Sequence, residues 1–247
     1  MLRRRLAILT FAAALGACAG SEAQTPYEAR RRAMVANIEQ LAAAGALGGP
    51  RRLDPKVLAA MREIPRHRFV PDDVAASAYD DTALPIGFDS TISQPFMVAT
   101  MTDLLEIRPG QKVLEVGTGS GYQAAILSRL GAKVFTIEIV EPLARAAEAR
   151  LEALGYSGVQ VRAGDGYKGW PQAAPFDAIL VTAGATHLPQ PLVDQLKPGG
   201  RMVIPIGEDR DRQQLTLVTK DSNGRVNRRR IGGVLFVPLD ERARRPN

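Results

Sequence analysis

Ser93 lies in the segment DSTISQPFM, residues 89–97, where a serine can be a nucleophile, a hydrogen-bond donor to a ligand, or an ordinary polar loop residue. A nucleophilic serine needs a base within reach, normally a histidine oriented by an acid. The chain has only His67 and His187, and no G-x-S-x-G elbow surrounds a serine. We expect His67 to be a surface or packing residue and His187 to lie in a loop near the site rim. Acyl transfer by Ser93 is therefore disfavoured.

A glycine-rich turn follows the first predicted core strand in EVGTGSGY, with Gly117, Gly119 and Gly121 at alternate positions. Glycines there allow a tight turn and the close approach of a ligand to the main chain. A dinucleotide fingerprint, G-x-G-x-x-G, would need its last glycine where this chain has Tyr122. The turn therefore departs from the pattern typical of NAD-binding proteins.

Three acidic residues are expected at one edge of the sheet. Glu115 lies two residues before the first glycine, where a carboxylate would repel a pyrophosphate but suit the positive sulfonium and ammonium of S-adenosylmethionine. Glu138 ends the second strand, where an acid can accept hydrogen bonds from ribose hydroxyls, and Asp165 ends the third. Ligands of open α/β sheets bind outside the carboxyl ends of the strands. The three acids together therefore predict a nucleoside site.

Strand-like and helix-like segments alternate from Gln111 onward. β-rich runs such as KVLEVGT, KVFTIEI and FDAILVTAG are separated by the helical stretches YQAAILSRLG, EPLARAAEARLEALG and PQPLVDQLKPGG. This order predicts an α/β fold, namely a Rossmann-like, doubly wound, mostly parallel sheet with helices on both faces. QQLTLVTKD and RRRIGGVLFVPL follow without a helix between them, so we expect antiparallel C-terminal strands.

The N-terminal part is predicted to be helical. DPKVLAAMREI indicates a short helix with Asp54 as N-cap and Pro55 at its first position. Residues 26–103 are assigned to a helical cap with the substrate and catalytic loop, and residues 104–247 to a cofactor-binding core with C-terminal strands. Ser93 is also a candidate N-cap of the helix in PFMVATMTDLLEI, a role that would leave its proton available to donate.

The first residues have the order of an export signal, with basic MLRRR, apolar LAILTFAAALGA and then small residues. Cleavage after Ala23 would make residues 1–23 the signal peptide. LGAC instead resembles a lipoprotein site, in which residues 1–17 are removed and Cys18 carries a lipid anchor. We expect export to the periplasm, soluble or lipid-anchored, with a cytoplasmic location as the alternative. The oligomeric state stays open.

Cys18 is the only cysteine, which excludes an intrachain disulfide and a cysteine-based metal site, and no metal is predicted. The net charge is +6, with basic residues in RRR, residues 228–230, and in the tail RARRPN. No aromatic residues are interleaved with these clusters as they are in proteins that stack nucleic-acid bases. We therefore expect solvated basic surface and no nucleic-acid partner.

Several motifs resemble known methyltransferases. VLEVGTGSGY, GDG and LKPGGRMVIPIG resemble those of class I S-adenosylmethionine-dependent methyltransferases. LPIGFDSTISQPFMVATMTDLLEI, PFDAILVTAGATHLPQPLVDQLKPGG and GVLFVPL resemble the protein-L-isoaspartate O-methyltransferase family in particular, from about Met34 to Leu239. The resemblance implies methyl transfer from S-adenosylmethionine to the free carboxylate of isoaspartyl residues in damaged proteins and peptides. The ester then collapses to a succinimide, which partly reopens as aspartate.

The resemblance also implies roles for individual residues. Ser93 would be the catalytic serine, holding one carboxylate oxygen so that the other points at the methyl group. The implied cofactor-binding residues are Thr91, Ile92, Glu115, Gly117, Gly119, Glu138, Asp165 and Gly166. Two alternatives stay open: a methyltransferase of this fold that acts on a small molecule, and an exported binding module without turnover. TISQP and the helical cap argue against the first, and the complete set of motif residues argues against the second.

Overall fold

The structure is a computed structural model that describes residues 26–239. The predicted export signal, Cys18 and the basic tail lie outside these residues. Six α-helices are formed: α1 (Pro26–Ala43), α2 (Pro55–Glu63), α3 (Pro95–Leu105), α4 (Tyr122–Arg129), α5 (Glu141–Ala153) and α6 (Gln190–Gln195). The strands are β1 (Leu84–Gly87), β2 (Ser90–Ile92), β3 (Lys112–Val116), β4 (Lys133–Glu138), β5 (Gln160–Ala163), β6 (Phe176–Val181), β7 (Leu196–Ile206), β8 (Gln213–Lys220) and β9 (Val226–Val234).

Seven strands form one sheet in the order β5-β4-β3-β6-β7-β8-β9. The strands from β5 to β7 pair in parallel, and β8 and β9 are antiparallel additions. The chain runs from β3 outward to β5 and then crosses to β6 on the other side of β3. The carboxyl ends of β3 and β6 therefore form the topological switch point where ligands of doubly wound sheets bind. The predicted fold class is confirmed.

Both faces of the sheet are covered. α1 to α4 pack on one face in a core that includes Val35, Met61, Met101, Ile126 and Leu215. α6 packs on the opposite face in a second core that includes Leu114, Ile179, Leu192 and Met202. The helices that carry the N-terminal part thus share one hydrophobic core with the sheet, which places the loop between α2 and α3 firmly above the switch point. Among residues 26–239, no helix is long and apolar enough to cross a membrane.

Local signals set several element boundaries. Asp54 caps α2 as predicted, because its carboxylate accepts the backbone N–H of Lys56 at 2.8 Å and Pro55 occupies the first turn. The stretch PQPLVDQLKPGG is helical only to Gln195. From Leu196 the chain is already strand β7, because Pro198 and the two glycines after it cannot continue a helix.

The predicted helical cap also contains an antiparallel hairpin. β1 and β2 pair Leu84 with Ile92 and Pro85 with Thr91, in a segment that carried no clear strand pattern. Phe88 and Asp89 make the turn at positive φ, 53° and 51°. The hairpin places Thr91 and the residues that follow it beside the glycine turn.

Candidate active site

The glycine turn between β3 and α4 admits only glycine at its first position. Gly117 has φ 103°, and a Cβ there would lie 2.4 Å from the Oγ1 of Thr182. The Thr182 hydroxyl donates to the carbonyl oxygen of Gly117 at 2.7 Å. Residues after β6 therefore hold the turn from one side, and the main chain of the turn is left open toward the edge of the sheet.

Glu138, the last residue of β4, holds the same turn from the other side. Its carboxylate accepts the N–H of Gly119 at 2.8 Å through Oε2 and the N–H of Val140 at 3.1 Å through Oε1. Only 3 % of Glu138 is exposed, yet it lines the cavity above the turn. The structure thus brings Gly117, Gly119 and Glu138 together at the predicted edge.

Glu115 lies beneath the turn and does not line a cavity at this edge. It is fully buried in β3 beside its strand partner Thr136, whose hydroxyl donates to Oε2 at 2.6 Å. Burial raises the pKa of Glu115 to about 8, helped by the nearby Glu138 and opposed by the Thr136 hydrogen bond. Glu115 is therefore mostly neutral at pH 7. We expected the charge of Glu115 to repel a pyrophosphate. A buried carboxyl that is mostly neutral does not fit that expectation.

Asp165 and Gly166 follow β5, one strand further out than Glu138. The Asp165 carboxylate accepts the N–H of Tyr167 at 2.9 Å and lies 3.6 Å from Lys168. A Cβ on Gly166 would lie 2.3 Å from Cγ1 of Val116, so this glycine packs directly against the end of β3. Both residues lie on the carboxyl rim of the sheet, outside the wall of the cavity above the glycine turn.

The loop after β2 presents Ser93 to the glycine turn. Gln94, not Ser93, is the N-cap residue of α3, and its side chain makes no capping hydrogen bond. The cap is supplied by Asp81, whose carboxylate accepts the N–H of Phe96 at 2.7 Å and a bond from the Gln94 side chain at 3.2 Å. The proposed N-cap role of Ser93 is therefore wrong, since a distant carboxylate already occupies that position.

Two cavities meet at Ser93. The glycine-turn cavity is lined by Ser90, Thr91, Ile92, Ser93, Val98, Gly117, Thr118, Gly119, Ser120, Tyr122, Gln123, Glu138, Thr182, Ala183 and Val237. The outer cavity, of about 410 Å³, has walls from the end of α1, the Ser93 loop and the segment after β9. Thr91, Ser93, Thr182 and Val237 belong to both. Ser93 thus stands at the junction between the glycine-turn cavity, of about 40 Å³, and a larger surface groove.

The lining of the glycine-turn cavity fits a nucleoside without phosphate. It offers backbone groups of two glycines, the hydroxyls of Thr118 and Ser120, and the Glu138 carboxylate. Among the described residues, no lysine or arginine lines this cavity, so a pyrophosphate would meet no cationic side chain there. A ligand with a positive centre and ribose hydroxyls, such as S-adenosylmethionine, matches this set of groups.

The outer cavity has one ionisable side chain in its wall, Asp81, among otherwise neutral residues. Its far wall is held by Gln213, whose buried side-chain amide accepts the N–H of Phe236 at 2.7 Å and donates to its carbonyl oxygen at 3.1 Å. Leu235 projects from this wall with 62 % exposure. The groove is therefore open, largely uncharged and rigidly walled, as suits an extended peptide.

Neither histidine lines either cavity. His67 stacks on Tyr27 with 3.9 Å between ring centroids and bonds to the Tyr79 hydroxyl at 2.7 Å, so it is a packing residue. His187 is exposed on the rim and stacks on Tyr167. Ser93 consequently has no imidazole base in either cavity wall, which supports the argument against acyl transfer.

The sequence did not single out several residues of the site. Thr182 follows β6 and Val237 follows β9; both lie within the quoted family motifs but were not named individually, and Asp81 acts across the loop. Arg66 was overlooked beside His67, because the basic run PRHR gives no signal of a buried cation. Each of these residues depends on tertiary contacts that sequence periodicity does not report.

The sheet is doubly wound, and its first core strand leads into an open glycine turn. An acid at the end of the next strand holds that turn. This is the architecture of class I S-adenosylmethionine-dependent methyltransferases. The family model described as protein-L-isoaspartate (D-aspartate) O-methyltransferase (PCMT) matches residues 38–244, and the chain belongs to this family.

Relatives agree with this assignment. The chain is 53 % identical over 235 residues to protein-L-isoaspartate O-methyltransferase 2 of Syntrophobacter fumaroxidans, covering 95 % of each chain. It is 52 % identical over 239 residues to protein-L-isoaspartate O-methyltransferase 1 of Cupriavidus necator, covering 96 % of this chain and 92 % of the relative. A Plasmodium falciparum beta-aspartate methyltransferase (PCMT) solved with S-adenosyl-L-homocysteine superposes with a TM-score of 0.72 at 26 % identity, covering 85 % of this chain and 98 % of the other.

Proposed function

We propose that this chain methylates the free carboxylate of isoaspartyl residues, with Ser93 orienting the carboxylate and the glycine turn holding S-adenosylmethionine. Repair of isoaspartyl proteins and peptides with this cofactor is the activity of the family. The assignment of roles to residues 91–93, to the glycine turn and to the acids of the sheet edge is the proposal.

The observation that carries the proposal is the junction of the two cavities at Ser93. A peptide in the outer cavity can bring a carboxylate to Ser93 from one side, while a nucleoside in the glycine-turn cavity reaches it from the other. Among the described residues, the Ser93 carbonyl oxygen accepts a bond from Arg66, whereas the Ser93 hydroxyl has no hydrogen-bond partner. Its proton is therefore available for a substrate oxygen.

The methyl transfer requires mainly that the carboxylate and the methyl group be aligned. A carboxylate with a pKa of about 4 is already ionised at neutral pH, so no general base is needed. S-adenosylmethionine, when bound, supplies a methyl group on a positively charged sulfur. Ser93 would donate to one carboxylate oxygen and leave the other free to attack that methyl carbon. The bond from the methyl carbon to sulfur would break, its electron pair would go to sulfur, and neutral S-adenosylhomocysteine would be the leaving group. Holding two reactants in a productive geometry can supply much of the barrier reduction.

The other site residues are assigned either to the cofactor or to the support of the glycine turn. Thr91 and Ile92 end β2 and line the glycine-turn cavity. The Glu138 carboxylate and the Gly119 backbone line the same cavity and would face the nucleoside. Asp165 would reach the cofactor from the rim beyond β4. The buried Glu115 would support the turn from below through its strand pair with Thr136, in place of the direct cofactor contact that the resemblance implied.

The test uses two peptides that differ only in an aspartyl or isoaspartyl linkage, incubated with the purified chain and methyl-labelled S-adenosylmethionine. Base-labile label on the isoaspartyl peptide alone is the expected result, since only that linkage frees the α-carboxylate, whereas the aspartyl peptide presents the β-carboxylate of its side chain. Label on neither peptide, with the cofactor still bound, would reject the acceptor. Failure to bind the cofactor would reject the enzymatic role itself.

We also propose that the chain is exported, soluble or held by a lipid on Cys18. The support is the order of residues in 1–23, which the structure does not describe. Cell fractionation of the full chain beside Cys18→Ala separates the two forms. If the wild type is membrane-bound and Cys18→Ala is soluble in the periplasm, the lipid anchor is supported. If both proteins are soluble in the periplasm, plain secretion is supported. Uncleaved protein in the cytoplasm would reject export.

A further inference from the structure

Arg66 is a charged side chain with no exposure to solvent. It lies in the short turn Arg66–Phe69 after α2 and is fully buried. Its Nε donates to the carbonyl oxygen of Ala78 at 2.8 Å, and its Nη2 donates to the carbonyl oxygen of Ser93 at 2.7 Å. The guanidinium therefore binds the main chain of Ser93, the residue at the junction of the two cavities.

The charge of Arg66 has no carboxylate partner. No acid of the described residues lies within ion-pair distance of it, and its Nη1 has no hydrogen-bond partner there. Burial lowers the pKa of Arg66 to about 10, while Tyr122, Asp81 and Tyr79 act to raise it. Arg66 remains a cation at neutral pH. A buried, unpaired cation is costly, and an apolar side chain would fill such a site with less cost.

Arg66 also contacts the cofactor side of the site. Its guanidinium carbon lies 5.0 Å from the centre of the Tyr122 ring, within the range of a cation–π contact. Tyr122 is the first residue of α4, directly after the glycine turn, and lines the glycine-turn cavity. One rigid, planar group thus spans the Ser93 loop and the start of the helix that follows the cofactor turn.

Two charged side chains hold the Ser93 loop. Asp81 binds the N–H of Phe96 on the helix side, and Arg66 binds the carbonyl of Ser93 itself. Without Arg66, the carbonyl oxygen of Ser93 would lose this hydrogen bond, and the loop would keep the bonds of Asp81 to Gln94 and Phe96 and the β1–β2 pairing at Ile92. A shift of the Ser93 hydroxyl by about 1 Å can cost about a hundredfold in rate.

We propose that Arg66 is a positioning residue, which fixes Ser93 against the glycine turn and leaves a positive charge behind the point where the substrate carboxylate is held. The inference rests on the proposed function of Ser93. It extends that function to a residue that touches neither cavity.

The test compares Arg66→Lys with Arg68→Lys, a matched change at an exposed arginine of the same turn. Arg66→Lys keeps the charge but cannot span Ala78, Ser93 and Tyr122 together. We expect kcat for the isoaspartyl peptide to fall by about tenfold or more in Arg66→Lys, with S-adenosylhomocysteine affinity changed by less than about threefold. Arg68→Lys should match the wild type, and an unchanged kcat in Arg66→Lys would overturn the proposal.

A double variant separates positioning from a general loss of structure. If Arg66 acts through Ser93, then Ser93→Ala with Arg66→Lys should be no slower than Ser93→Ala alone, within about twofold. If the double variant instead loses kcat by the product of the two single-variant factors, Arg66 acts independently of Ser93 and the proposal is rejected. Lost S-adenosylhomocysteine binding in both Arg66→Lys and Arg66→Gln would also reject it, by showing a role in the fold. A wild type that labels no isoaspartyl peptide would instead refute the proposed function.

Discussion

The carboxylate of Asp81 accepts the backbone N–H of Phe96 over 2.7 Å and thereby caps α3 from 15 residues upstream. The chain just before α3 contains a serine that could have supplied this cap. Because Asp81 supplies it, the Ser93 hydroxyl is left to face the junction of the two cavities. Stability of the helix start and availability of the serine proton are thus linked through one carboxylate.

Asp81→Ala should lower both stability and turnover. Loss of a helix cap costs about 1 kcal/mol, which corresponds to a fall in Tm of about 2–4 °C for a chain of this size. The Ser93 loop would also loosen, so kcat should decrease. Thermal unfolding and peptide methylation test this beside Asp80→Ala, an exposed neighbour with a 3.8 Å contact to Arg30. Equal Tm values for the two variants would refute the capping role.

Glu138→Gln should weaken cofactor binding. The carboxylate accepts two backbone N–H groups, from Gly119 and Val140, whereas an amide has only one oxygen to accept with. A lost hydrogen bond of about 1–2 kcal/mol predicts about tenfold weaker S-adenosylhomocysteine binding. Calorimetric titration measures this, with the exposed Glu141→Gln as control. An unchanged affinity would mean that Glu138 does not shape the turn.

Glu115 should make stability depend on pH. Its pKa is raised from 4.5 to about 8, chiefly by burial, so the folded chain keeps a proton that the unfolded chain loses between these values. Folding therefore becomes less favourable as pH rises from about 4.5 to 8, and this loss levels off above that range. Urea unfolding at about pH 5.5 and about pH 8.5 measures this. The free energy of unfolding of Glu115→Gln, relative to that of the wild type, should be higher at the higher pH. A constant difference would contradict the raised pKa.

Gly117→Ala should abolish cofactor binding. The new Cβ would meet the Thr182 hydroxyl at 2.4 Å, in addition to the strain of φ 103°. Gly110→Ala is the matched control, since Gly110 has φ 83° but open space around its Cβ position. The control should lose about 1 kcal/mol of stability and still bind S-adenosylhomocysteine. Binding by both variants would show that the turn tolerates a side chain.

The sequence predicted the sheet well because each strand of the parallel core is a short apolar run between helices with a clear period. It also located Gly117, Gly119 and Glu138, since the carboxyl ends of parallel strands meet at one edge. It did not predict the β1–β2 hairpin, whose pairing is short. The Asp81 cap and the buried Arg66 were also missed, because each joins residues far apart in the chain. The sequence also carried no sign that Glu115 is buried, and it is burial that raises the pKa of this carboxyl.

The most direct measurement of the central claim is single-turnover methylation by Ser93→Ala at saturating S-adenosylmethionine, with S-adenosylhomocysteine affinity determined on the same protein. Orientation of the isoaspartyl carboxylate by Ser93 predicts a rate at least about tenfold below that of the wild type, with the affinity unchanged within about twofold. Equal single-turnover rates in the two proteins would contradict the role given to Ser93 and with it the account of this site.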